Sequence, residues 1–211
     1  MRHSFWDERY AQDEYVYGTK PNVFLKEVLP TFSAGKILFP AEGEGRNAVF
    51  AASLGWHVKA FDNSNEGQRK ALDLARENQV EIDYQLKSVE EVDFPLDSFD
   101  AIALIYAHFP ESKRREYHRK LVSYLKVGGV MIIEAFGKKH SDFQIENPSV
   151  GGPKDSAMLY DIDELKGDFP EFRFMAAYPS QVELSEGDYH VGTAHVVRII
   201  AIKDRVLPTG F

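Results

Sequence analysis

From residue 36 onward the chain alternates between short apolar runs and longer stretches in which apolar residues return at helical spacing. The runs at 37–40, 57–61, 82–86, 99–105 and 130–136 read as strands, and the run at 99–105 is apolar enough for a strand covered on both faces. Between them, 46–54, 66–78 and 111–125 read as helices. Gly55 stops the first, and Lys126, Val127, Gly128 and Gly129 stop the third. Strands alternating with helices predict a parallel sheet with right-handed crossovers.

The two ends follow other rhythms. Phe5, Trp6 and Tyr10 have helical spacing, and the stretch 15–22 breaks that helix because Gly18 and Pro21 form turns. Asn22 is placed to cap a second helix at 23–29, which Pro30 closes. Beyond 136, the stretch 137–154 is rich in Gly, Pro, Ser and Asn and reads as a long loop of the kind that serves as a lid. A short helix at 161–168 precedes two β-rich runs, 172–184 and 190–202, joined by a turn at 185–188. The prediction is an α/β fold, Rossmann-like, with a mostly parallel sheet, helices on both faces and a C-terminal antiparallel hairpin. A single domain spans 1–211: an N-terminal helical cap segment at 1–34, a cofactor-binding core at 35–136, and the lid loop and hairpin at 137–211.

One segment carries most of the chemistry. A strand ending at Pro40 runs into a turn containing Gly43 and Gly45, then a helix from Arg46, then a second strand ending at Asp62. Glycines there let the backbone pass close under a ligand. The start of the helix offers unsatisfied N–H groups. A carboxylate after the second strand suits ribose hydroxyls. The turn also satisfies a dinucleotide pattern, so a nicotinamide-dependent dehydrogenase is an alternative, as is a turn with no ligand. Asp62 could instead cap the following helix, although Asn63 and Ser64 are equally placed to do so.

These motifs resemble those of class I S-adenosylmethionine-dependent methyltransferases over roughly residues 15–203. The helix, Leu125-Lys126-Val127-Gly128-Gly129 and strand passage adds to the likeness. So do Tyr17-Gly18, Pro21-Asn22, Arg46-Asn47 and the Glu134-Ala135-Phe136 strand end, which are similar to the tellurite-resistance and thiopurine branch. The resemblance implies S-adenosylmethionine as cofactor and a small-molecule acceptor with a soft nucleophile, a thiol or a metalloid oxyanion. It implies cofactor contacts from Tyr17, Ala41, Glu42, Gly43, Gly45, Arg46, Asn47, Asp62, Asn63, Ser88, Val89 and Ile105, with the Val89 N–H facing a ring nitrogen. Two positions depart from the family: Phe39 stands where an acid is usual, and Ala41 where the first glycine is usual. Glu42, Glu44 or an N-terminal residue would then replace the acid. The departures motivate a second reading, a non-catalytic cofactor-binding or interaction protein on the same scaffold.

Tyr106, His108 and Phe109 follow the fourth strand, where ligands of open α/β sheets bind. An aromatic there would favour a sulfonium by cation–π attraction. His108 is a candidate general base, with packing before Pro110 as the alternative. Glu134 ends a buried strand and needs a cation or a proton as partner. Tyr106, His108 and Glu134 are thus the candidate catalytic residues. Trp6 and Tyr10 either pack on the domain or close over the cofactor.

Composition narrows the classes. The net charge of −8 and isoelectric point near 5.4 count against sequence-independent nucleic-acid binding and against anionic membranes. There is no cysteine, which excludes disulfides, thiolate nucleophiles and Cys-based zinc sites. His190 and His195 lie five apart on one predicted strand and face opposite sides, so no metal is expected. The N-terminus has no apolar signal region and no run reaches the length of a membrane span. The expectation is a cytoplasmic protein acting as a monomer or homodimer.

Overall fold

The computed structural model describes residues 5–204, so the outermost ends of the expected 1–211 domain lie outside the described residues. Seven strands form one sheet in the order β3-β2-β1-β4-β5-β7-β6. They are β1 (Lys36–Pro40), β2 (His57–Asp62), β3 (Asp83–Leu86), β4 (Phe99–Ile105), β5 (Leu125–Phe136), β6 (Phe172–Glu186) and β7 (His190–Lys203). The first five run parallel, and β7 joins β5 antiparallel with β6 outside it. The predicted mostly parallel sheet with a terminal hairpin is therefore the observed one.

Helices cover both faces because the strands alternate. Leu38, Ile102, Leu104, Met131 and Ile133 face one core. It is closed by Tyr117, Leu121 and Val122 of α5 (Glu111–Ser123) and by Leu165 of α7 (Ile162–Asp168). Ile37, Phe39, Ala101, Ala103 and Ile132 face the other. There they meet α2 (Val23–Val28), α3 (Arg46–Ser53) and α4 (Asn65–Glu77). Asn22 caps α2 as predicted, its side chain accepting from the Leu25 N–H at 2.9 Å.

Three boundaries differ from expectation. The helix predicted to reach 125 stops at Ser123, because buried Leu125 already pairs with Phe99 as the start of β5. The hairpin turn lies at 187–189, since Glu186 still pairs with His190. The predicted lid loop contains a helix, α6 (His140–Glu146), and a 3-10 turn at Pro148–Val150. The cause is His140, fully buried and stacked on Phe136 with ring centroids 4.1 Å apart, which pins the segment to the sheet. The remaining N-terminal element, α1 (Phe5–Tyr10), lies against α4. Among the described residues no helix is long and apolar enough to cross a membrane.

Candidate active site

The chain reverses its direction of travel across the sheet between β1 and β4, which opens a crevice at the C-terminal ends of those strands. The glycine turn follows β1 at this point. Ala41, Gly43 and Gly45 all take left-handed φ values, 52°, 61° and 84°. Ala41 thus holds by force the conformation a glycine would adopt freely, at a cost of about 1–2 kcal/mol. The two glycines serve different ends. A Cβ on Gly43 would come within 2.5 Å of the Tyr10 hydroxyl, so this position borders the crevice. A Cβ on Gly45 would come within 2.5 Å of the Ala71 Cβ. Gly45 is therefore required for α3 to pack on α4, rather than for ligand approach.

The acids divide their labour. Asp62 ends β2, and its carboxylate accepts from the Gly43 N–H at 3.1 Å and the Ser64 N–H at 2.9 Å. Ser64 itself caps α4, accepting from the Gly67 N–H at 3.0 Å, which frees Asp62 from that task. Burial pushes the Asp62 carboxyl up to about 6 against the pull of the backbone N–H groups. Glu42 turns back onto α3, where one oxygen accepts from the Asn47 and Ala48 N–H groups at 2.9 and 2.7 Å. Two of the N–H groups at the start of α3 are consequently held by the protein's own carboxylate, whereas the sequence suggested that they face a ligand. Burial raises Glu42 to about 7, with those same N–H groups opposing.

Several residues expected to touch cofactor instead bind the N-terminal segment. Glu44 accepts from the Val16 N–H at 2.9 Å and pairs with buried Lys70 at 2.9 Å. The Asn47 side chain accepts from the Asn22 N–H at 2.9 Å. Arg46 donates to the Lys20 carbonyl at 3.3 Å and pairs with Glu186 of the hairpin at 2.9 Å. Their polar atoms are thus engaged in threading residues 14–22 around the turn. Tyr17 lies on that segment with its ring against His190, 4.3 Å between centroids. Asn63 is exposed and Ile105 buried at the mouth of the crevice. The Ser88 N–H donates to Glu91 at 2.8 Å. The Val89 N–H has no hydrogen-bond partner among the described residues.

Helix α1 closes the crevice from above. Tyr10 is 5% exposed and packs on Gly43 and Gly67. Trp6 stacks on Tyr10 at 5.4 Å. Asp7 accepts from the Ser64 hydroxyl at 2.7 Å and lies 3.4 Å from the Glu66 N–H it accepts from. A surface hollow of about 670 Å³ lies elsewhere, between Tyr15, Arg69 and Arg76.

Beyond β4 and β5 the three candidate catalytic residues do come together, but two are already committed. Glu134 is 1% exposed. One of its oxygens accepts from Asn22 Nδ2 at 2.6 Å and from the Tyr106 hydroxyl at 3.0 Å, and the other pairs with Arg198. His108 contacts the Met158 carbonyl through Nδ1 at 2.8 Å and accepts from the Phe136 N–H through Nε2 at 3.1 Å. That pattern assigns the proton to Nδ1 and consumes the Nε2 lone pair. Burial lowers the ring to about 4, so it is neutral at physiological pH. His108→Ala is therefore expected to cost about 1–3 kcal/mol of stability, the scale for orphaning buried polar groups, and to leave turnover of the folded fraction near normal. Thermal denaturation beside initial rates checks this; a loss of rate alone would restore His108 as a base. Tyr106 has φ of 53°, a strained value for a side chain of its size, at the end of β4.

Sequence reasoning missed His190 and Glu186. The imidazole Nδ1 lies 3.0 Å from Glu186, and the ring packs edge-on against Tyr106 and Phe136 at 4.9 and 5.2 Å. Burial tends to raise Glu186, but His190 and Arg46 hold it down to about 2. The available signal was an acid and a histidine flanking a three-residue turn.

Comparison with known proteins bears on the fold. Residues 37–129 match the family described as a methyltransferase domain. No curated protein matches. Among solved structures, the chain is similar to one from work on conversion of a disulfide bond into a thioacetal group during echinomycin biosynthesis. That similarity has a TM-score of 0.79 at 15% identity and covers 99% of this chain and 95% of the other. It is also similar to TehB from Haemophilus influenzae, with a TM-score of 0.70 at 16% identity, covering 95% of this chain and 66% of that one. A S-adenosylmethionine-dependent methyltransferase from Methanosarcina mazei gives 0.69 at 18% identity, covering 87% and 98%. At these identities the likeness speaks for the fold.

Proposed function

We propose that this chain, an S-adenosylmethionine-dependent methyltransferase, moves the methyl group to a small molecule with a soft nucleophile, a thiol or a metalloid oxyanion. The observation that carries the acceptor class is the engagement of both expected bases. His108 has no lone pair to spare, and Glu134 is fully paired. Oxygen and nitrogen acceptors often need a strong positioned base, whereas a soft nucleophile needs at most a weak one, because it ionises near neutrality or is already anionic.

The residues present fit the cofactor. A carboxylate offers about four acceptor positions, so Asp62 keeps capacity for ribose hydroxyls beside the two N–H groups it holds. Gly43 supplies a bare backbone, Val89 a free N–H, and the Tyr17 and Tyr106 rings favour a cation. When bound, the cofactor supplies an electrophilic methyl on a positive sulfur. The protein's part is to hold the acceptor in line with it and to exclude water. In this reading the protein is cytoplasmic, works as a monomer or homodimer, and is allied to the tellurite-resistance and thiopurine branch.

A methyl-transfer assay across thiols, tellurite, selenite, phenols and amines tests the assignment, and turnover confined to phenols or amines would sink it. Phe39 and the strained Ala41 motivate the second reading, a binding protein without turnover; cofactor binding with no product across that panel would support it. Stabilisation by NAD alone would return the dehydrogenase alternative.

Cofactor affinity should depend on pH with a defined sign. Hydroxyl donors favour the ionised form of Asp62, so binding draws its carboxyl down from about 6 and releases protons. Affinity is expected to rise as pH climbs from about 5 through 6 and to level off above about 7. Calorimetry in two buffers of different ionisation enthalpy measures the released proton, and Asp62→Asn should flatten the dependence.

A further inference from the structure

Three histidines surround Phe136, and they are not equivalent. His108 has both ring nitrogens engaged. His140 meets the Gly151 carbonyl through Nε2 at 3.0 Å and accepts from the His195 N–H through Nδ1. His190 has Nδ1 on Glu186 at 3.0 Å, while its Nε2 takes no hydrogen bond among the described residues. The residue is 4% exposed, and that nitrogen lies beside Gly151, whose added Cβ would come within 3.3 Å of it.

The surroundings fix the ring. Glu186 and His190 are paired across the hairpin turn, and Arg46 donates to the same carboxylate oxygen at 2.9 Å. Tyr17, Tyr106 and Phe136 pack on three sides. Gly151 closes the fourth, where a Cβ would come within 2.6 Å of His190 Cδ2. A carboxylate at Nδ1 selects the tautomer with its proton there and leaves Nε2 as the basic nitrogen. A base oriented by a third group, beside the strand end where substrates bind, is the arrangement that activates nucleophiles in unrelated enzymes.

We infer that His190 is the general base of the reaction, its Nε2 taking the proton of a thiol acceptor while Glu186, held by Arg46, orients the ring. This rests on the methyl-transfer reading and narrows its acceptor to a thiol that arrives protonated. The S–H bond breaks and its proton passes to His190. The acceptor sulfur bonds to the methyl carbon as the carbon–sulfonium bond breaks, with that electron pair going to the departing sulfur. Burial lowers the imidazole pKa, which keeps the ring neutral and able to accept. Glu186 steadies the charge that forms on it.

The test compares an alkyl thiol, protonated at pH 7.5, with an acidic aryl thiol that is already a thiolate. His190→Ala should lower kcat on the alkyl thiol by about 10²-fold or more, with a far smaller loss on the aryl thiolate. S-adenosylmethionine affinity of the folded variant should change little, and added imidazole should restore part of the alkyl-thiol rate. His190→Gln, which keeps most of the volume, serves if the alanine variant is unstable. Glu186→Gln should show the same selective loss, smaller in size. Equal losses on both thiols would mean that His190 only shapes the pocket, and no loss on the alkyl thiol would also overturn its role. A wild-type protein inactive on both thiols would instead overturn the thiol reading itself, and the base assignment with it.

Discussion

Alanine in place of Glu134 is expected to destabilise the protein by about 3–5 kcal/mol, the scale for removing one partner of a buried ion pair. The variant would strand Arg198 and release the Asn22 amide and Tyr106 hydroxyl that share the other carboxylate oxygen. Because Asn22 begins α2 and ties the N-terminal segment to Asn47, the loss should spread to the lining of the crevice. Pairing Glu134→Leu with Arg198→Met should recover part of the stability, since no charge is stranded, although the Asn22 amide and Tyr106 hydroxyl still lose their acceptor. Urea unfolding of the single and double variants measures both quantities. Near-wild-type stability with abolished turnover would instead restore the catalytic role that the strand-end position suggested.

Asp62→Ala is expected to weaken S-adenosylmethionine binding at least tenfold. A carboxylate accepting two hydroxyl hydrogen bonds contributes about 1.5–3 kcal/mol. The same side chain braces Gly43 and Ser64, so the melting temperature should also fall, while the capping of α4 by Ser64 persists. Calorimetric titration of folded protein separates the two effects. An unchanged dissociation constant would show that Asp62 only builds the turn.

The fold was legible because its signals are local and repeated: apolar strands, a helix stop at Gly55, and a cap at Asn22. The glycine turn and Asp62 were legible for the same reason. What spacing could not show is which partner each polar group finds across the chain. Glu42 was readable as an acid beside glycines, but its capping of α3 depends on the left-handed bend at Ala41. Arg46 and Asn47 looked like ligand contacts, and their partners lie at Lys20, Glu186 and Asn22, far away in sequence. His108 stood at the right strand end, yet its freedom as a base was decided by Met158 and the Phe136 backbone. His190 was weighed only against His195 as a metal pair. Its partner, Glu186, belongs to the strand because the turn starts two residues later than the sequence suggested.

The helix that covers the crevice also carries its own reporter. Trp6, 38% exposed and stacked on Tyr10, sits on the element that must yield when anything enters beneath it. The other tryptophan, Trp56, is buried at 4% exposure in the core that packs α3 against the sheet and should stay dark to the event. Emission from a Trp56→Phe variant would therefore record arrivals and departures at the crevice in real time, without any label. If the helix opens more slowly than methyl transfer occurs, that signal would relax at the same rate as steady-state turnover, and the clock of this enzyme would be its door.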